Sequence, residues 1–130
     1  MIRLLPALAL AALSTLAVAQ EMPSSAPLFA ATLADLDDKP VALERYKGKP
    51  LVVNFWARWC GPCRAMSPVV EEIAVERPHV KVGKIDVEAE RELAARFHVM
   101  GIPTLMVIKG GKVVGRTVGA QPKGQILSML

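Results

Sequence analysis

Two sulfur atoms carry the most distinctive chemistry available to this chain. Cys60 and Cys63 are the only cysteines among its 130 residues, and they stand two residues apart in Trp59-Cys60-Gly61-Pro62-Cys63. A nearly continuous apolar run, residues 51–56, leads in, and a helix-like run from Arg64 leads out. This arrangement puts Cys60 at a helix N-terminus, where free N–H groups and the helix dipole favour negative charge. A cysteine there ionises more readily than a free one. The second thiol is close enough to displace whatever the first captures, which is the requirement for thiol–disulfide exchange.

Two plainer uses of the pair compete with this one. A structural disulfide across two residues closes a very small loop, and restraint of the unfolded chain grows with loop length. A zinc site needs four nitrogen or sulfur ligands. Only His79 and His98 remain to complete it, and they lack ligand-like spacing to each other. Trp59, just before the first thiol, is expected to lie beside the site as a contact surface rather than in the core.

The elements that must hold the pair are legible in outline. Residues 51–56 suit a central strand buried on both faces. The following helix carries Met66, Val69, Val70, Ile73 and Ala74 at the spacing of one buried face. Pro68 falls inside it and is expected to kink it or remove a hydrogen bond. Residues 80–87 read as a strand and residues 90–97 as a helix with Leu93, Ala94 and Phe97 inward. Residues 104–108 and 112–118 form a hairpin around Gly110-Gly111, and residues 122–130 close the chain as a helix. Crossovers call for parallel pairing and the Gly-Gly turn for antiparallel pairing, so a mixed α/β sheet flanked by helices on both faces follows. Upstream, residues 29–36 and 41–43 around an acidic turn suggest a short hairpin or extended arm.

The first 19 residues have a short basic start, an apolar stretch and an Ala17-Val18-Ala19 site, the pattern of a secretory signal peptide. An uncleaved membrane anchor is the alternative, although the apolar run is short for a span. Residues 20–27 read as a flexible lead-in, and residues 28–130 as one compact domain. A net charge of +4 without a basic, aromatic-rich stripe gives no support to nucleic-acid binding. Outside the cytoplasm disulfides persist, so a reactive pair there must either donate oxidation or be supplied with electrons.

From about Phe29 onward the chain resembles the thioredoxin family. The resemblance rests on residues 51–63, Pro68, Lys84-Ile85-Asp86, Gly101-Ile102-Pro103-Thr104, Gly110-Gly111 and Val118-Gly119-Ala120, in that order. It implies the thioredoxin fold and a protein-disulfide reductase in which Cys60 attacks and Cys63 resolves. It also implies that Pro103 is cis and that Trp59, Gly61, Pro62, Ile102, Pro103 and Gly119 bind substrate. No cofactor is expected beyond the redox-active cysteine pair. Expected partners are protein disulfides and a membrane electron donor, with the protein itself monomeric.

Residues 29–50 resemble the arm of exported TlpA-like thioredoxins, some of which serve cytochrome c maturation, although the insertion typical of that branch is missing between Cys63 and Pro103. A dedicated reductant in that process, or a non-catalytic module borrowing the fold, are the alternatives. One departure bears on mechanism: Asn54 stands where the family carries a buried Asp, and an amide cannot take up a proton. Lys84, which matches that Asp's usual partner, is therefore expected to modulate the site together with Asn54.

Overall fold

The computed structural model describes residues 24–34, 37 and 39–130; the expected export signal, residues 1–19, lies outside the described residues. Four strands form the main sheet in the order β4-β3-β5-β6. These are β3 (Leu51–Trp56), β4 (Lys81–Asp86), β5 (Thr104–Lys109) and β6 (Lys112–Val118). β3 pairs parallel with β4 and antiparallel with β5, which pairs antiparallel with β6. The mixed sheet expected from the crossovers and the Gly-Gly turn is the sheet observed.

The period-2 alternation of β3 divides the core into two layers. Leu51, Val53 and Phe55 join Met106 and Ile108 of β5 on one face. There they meet Leu93 and Ala94 of α3 (Arg91–Arg96) and the following Phe97. Val52 joins Leu105 and Val107 on the other face, against Met66, Val70 and Ile73 of α2 (Gly61–Glu76) and Ile126 of α4 (Lys123–Leu127). β3 thus has helices on both sides, which is why it is apolar nearly throughout. α2 runs unbroken through Pro68, whose side chain is exposed, so the missing intrahelical bond falls on the side open to water.

Turn chemistry sets the remaining geometry. Gly110 and Gly111 both have positive φ, 57° and 77°, as a two-residue hairpin of this twist requires. His98 at φ 52° ends α3, and Arg116 on β6 holds that end by donating to the carbonyls of Phe97 (2.6 Å) and His98 (2.7 Å). Lys123 ties α4 to α2 through Glu72 (2.7 Å) and Glu76 (2.9 Å).

The N-terminal region departs most from the sequence reading. Phe29, expected to begin an extended arm, instead ends a short helix, α1 (Ala26–Phe29), with Pro27 in its first turn. The hairpin itself is limited to β1 (Thr32–Ala34) and β2 (Pro40–Ala42), followed by a 3-10 turn at Leu43–Tyr46. The last part of the expected flexible lead-in is docked. Ser24 bridges Lys112, Ser25 is buried and donates its N–H to Gly111 O at 3.2 Å, and Leu28 and Phe29 enter the core. Two apolar side chains with a proline before them outweigh the polar composition.

Candidate functional site

The two sulfurs sit where β3 hands over to α2. Cys60 is the N-cap of α2, with extended backbone, and its Sγ accepts the N–H of Cys63 at 3.2 Å. Cys60 also donates its own N–H to Ala57 O and accepts from Arg64 N, both at 3.1 Å, so the turn is pinned from both ends. The Cys63 N–H points at this sulfur, and with the helix dipole it would stabilise an anion there. The two cysteines are joined in a disulfide with a Cα–Cα distance of 5.2 Å. Both are buried, Cys63 fully and Cys60 at 5 % exposure. Cys60 is thus nearly as enclosed as Cys63.

Around the pair, Ala57, Trp56, Val87 and Ile102 close an apolar pocket of side chains. The Ile102–Pro103 bond is cis, as the resemblance implied. Thr104 Oγ1 donates to Gly101 O at 2.5 Å, and Gly119, at φ 90°, donates its N–H to Pro103 O at 2.8 Å. This lashing presents half-buried Ile102 toward the cysteines. Gly101 packs close to β6: a Cβ there would lie 3.3 Å from a Val118 methyl.

Trp59, just before Cys60, is 67 % exposed and is not part of the core. Its Nε1 donates to Glu88 Oε1 at 2.8 Å, which fixes the ring. Gly61 and Pro62 are exposed and Gly119 is half-buried, whereas Pro103 is buried beneath the loop it shapes. Two apolar residues that the sequence reading missed extend this rim: Met100 at 94 % exposure and Val118 at 57 %. Their position two residues before Ile102 and one before Gly119 was the available signal.

Asn54 lies on the α2-facing side of β3, fully buried, and neither its Oδ1 nor its Nδ2 has a hydrogen-bond partner among the described residues. Lys84, its register partner on β4, donates to Ser67 Oγ at 2.9 Å and lies 4.3 Å from the centre of the Trp56 ring. Ser67 is another residue the sequence reading passed over. Glu71 and Glu72 do not join the site: both are exposed, and Glu72 is engaged by Lys123. Among the described residues no three His, Cys, Asp or Glu side chains converge to hold a metal ion. A cavity of about 530 Å³ lies elsewhere, lined by the β1–β2 hairpin, β4 and part of α2.

A buried cysteine pair at a helix N-terminus, faced by a cis-proline loop and an apolar rim, defines a thiol–disulfide oxidoreductase. Residues 38–130 match the family model described as Thioredoxin. The chain is 47% identical over 83 residues to a thioredoxin of Alicyclobacillus acidocaldarius subsp. acidocaldarius, covering 63% of this chain and 79% of that one. It is 49% identical over 83 residues to a thioredoxin of Mycobacterium tuberculosis (63% and 72%). It is also 49% identical over 80 residues to a bifunctional thioredoxin reductase/thioredoxin of Mycobacterium leprae (61% of this chain), of which it spans only 18%. Among solved structures, Fasciola hepatica thioredoxin superposes with a TM-score of 0.62 at 41% identity, over 67% of this chain and 84% of that one. The chain belongs to the thioredoxin family, and its redox-active cysteine pair makes it a protein-disulfide reductase.

Proposed function

We propose that this protein reduces disulfides of client proteins outside the cytoplasm through its Cys60/Cys63 dithiol. The observation that carries the reading is the Cys60 sulfur at the N-cap of α2, receiving an N–H and packed among Ala57, Trp56, Val87 and Ile102, with exposed Trp59 just before it in the chain. In the reduced protein Cys60 attacks a client disulfide as thiolate, and its sulfur bonds to one client sulfur while the other leaves. Cys63 then displaces the bound client sulfur from Cys60, and the Cys60–Cys63 disulfide forms. An extended client segment lies against the Ile102 backbone, in the manner of strand addition. Trp59, Gly61, Pro62 and Gly119 supply a flat apolar surface that suits many clients and selects weakly.

The composition of residues 1–19 supports export, with cleavage near Ala19. An oxidising compartment then requires a membrane electron donor to regenerate the dithiol. The protein works as a monomer and needs no cofactor besides the cysteine pair. Insulin reduction in the presence of dithiothreitol tests the activity: precipitation well above background is expected, and a folded protein with no such rate rejects it. Fractionation of cells producing the full chain tests the location.

A second reading, a dedicated reductant in cytochrome c maturation, draws on the β1–β2 hairpin set outside the main sheet. A Cys63→Ser variant that accumulates one haem-attachment apoprotein as its covalent partner favours the dedicated role. A broad set of trapped clients favours the general one.

A further inference from the structure

β4 closes one side of the main sheet and pairs with β3 alone among the described residues. Lys81 donates its N–H to Pro50 O and Val87 donates to Trp56 O, both at 2.9 Å. The odd-numbered residues of β4 thus turn their backbone groups toward β3. Backbone direction alternates along a strand. The N–H and C=O of Val82 and of Lys84 therefore point away from the sheet, and no described group pairs with them. An unpaired edge of this kind is a template for one more strand.

That edge runs through the cavity of about 530 Å³, which every residue from Lys81 to Ile85 lines. Successive side chains of a strand point to opposite faces. Val82 packs with the α2 layer and Ile85 with the α3 layer. A single cavity that touches all of these residues reaches both faces. Because β3 fills the inner side, it passes round the outer edge of β4. One wall is half-buried Leu33, Val41 and Tyr46, and the other is Val70 and Ala74 of α2. An incoming strand finds backbone partners along its length and apolar walls on both faces.

Charge selects the occupant. Lys81 and Lys84 line the cavity, and Glu71 is the one acidic residue on its wall. Among the described residues neither lysine meets a carboxylate: Lys81 Nζ reaches Pro78 O at 3.5 Å, and Lys84 Nζ donates to Ser67 Oγ. Pairing of β4 with β4 of a second copy would bring both sets of lysines together, which like charges oppose. An acidic strand is attracted instead.

We propose that the outer edge of β4 is a docking slot for an extended apolar segment, flanked by acidic residues, of a partner protein. The segment lies beside β4 as the next strand and bonds the backbone of Val82 and Lys84. Its apolar side chains enter the two walls, and its carboxylates meet Lys81 and Lys84. Lys84 lies 4.3 Å from the centre of the Trp56 ring, which packs on the cysteine pair, so the partner is held on the flank of the redox site. The cysteines take no part in this binding, and it stands or falls separately from disulfide reduction.

The probe is a fluorescein-labelled, cysteine-free peptide with a short run of valine and isoleucine between aspartates. Titration with the full chain in its oxidised form is expected to give saturable anisotropy. Amide exchange should slow at Val82 and Lys84, while Gly83 and Ile85, already turned toward β3, change little. The same peptide N-methylated at alternate amides, or with lysine in place of aspartate, is expected to bind about tenfold more weakly. Lys81→Glu weakens binding of the aspartate peptide by a similar factor, and Ala74→Phe, which fills one wall, abolishes it. Should Ala74→Phe not fold, Lys81→Glu and the methylated peptide decide. Absence of binding overturns the proposal, as does binding without protection of Val82 and Lys84, or equal affinity for the lysine peptide. Protection of those two amides in the free protein also overturns it, because the edge is then covered by the chain itself or, if concentration-dependent, by a second copy. Insulin reduction by the same sample reads the disulfide chemistry independently.

Discussion

Asn54 is the residue whose sequence identity and structural setting pull against each other. Its amide is fully buried without a partner among the described residues. A carboxylate at the same point can take up a proton directly. Asn54→Asp is therefore expected to release mixed disulfides faster than the native protein near neutral pH, as read by rapid-mixing kinetics. Equal rates would show that the proton is already handled well. Trp59 is a contrasting case. At 67 % exposure, held by one hydrogen bond to Glu88, it contributes little to the core. Trp59→Ala is expected to leave stability within about 0.5 kcal/mol, as exposed sites usually do. It should raise KM for insulin severalfold and change kcat less, because the ring offers surface to a client and takes no part in the sulfur chemistry. A melting temperature unchanged together with an unchanged KM would remove Trp59 from the docking surface.

At the scale of elements, the site depends on how the segments behind it are tied. Arg116 on β6 donates to two carbonyls at the end of α3, and the chain runs from there into the loop that carries Met100, Ile102 and Pro103. Charged hydrogen bonds of this kind are worth about 1.5–3 kcal/mol, so Arg116→Ala is expected to lower unfolding free energy by about that amount in a denaturant titration. Gly119 holds the same loop from the other side, through a positive φ and its N–H to Pro103 O. Strands and helices flanking the motif were legible in the sequence because their periods are strong: Leu93, Ala94 and Phe97 are buried as the spacing required. The start of the domain was not. Residues 20–27 look like a linker by composition. Only docking against the Gly110-Gly111 hairpin shows that Ser24 and Ser25 belong to the fold and that Phe29 is helical.

For the molecule as a whole, acid stability is set partly by the clasp between α2 and α4. The hydrogen bond from Lys123 holds the Glu76 carboxyl below its ordinary value of 4.5. Hydrogen bonds to Glu72 and Glu76 raise Lys123 above 10.5. Glu76 therefore contributes stability that is present above the ordinary carboxylate range and fades as pH falls through the lowered folded value. The Lys123 contribution is present below 10.5 and fades as pH rises through the raised folded value. Both are solvated, so the effect is small and salt-sensitive. Lys123→Gln is expected to flatten the loss of melting temperature on acidification at low salt, with little difference from native protein at high salt. The direction of electron flow is also a property of the whole molecule. A shift of about 30 mV corresponds to about 1.4 kcal/mol, which a few hydrogen bonds can supply. What the sequence determined alone was the reactive pair, its place at a helix start and the order of elements, because spacing along the chain and side-chain periodicity are local. What only the tertiary structure decided was the company those sulfurs keep: Met100 and Val118 on the rim, Glu88 under Trp59, and Lys84 resting on Ser67 beside Asn54. Those contacts join residues far apart in the chain, and they exist only once the sheet has set its register.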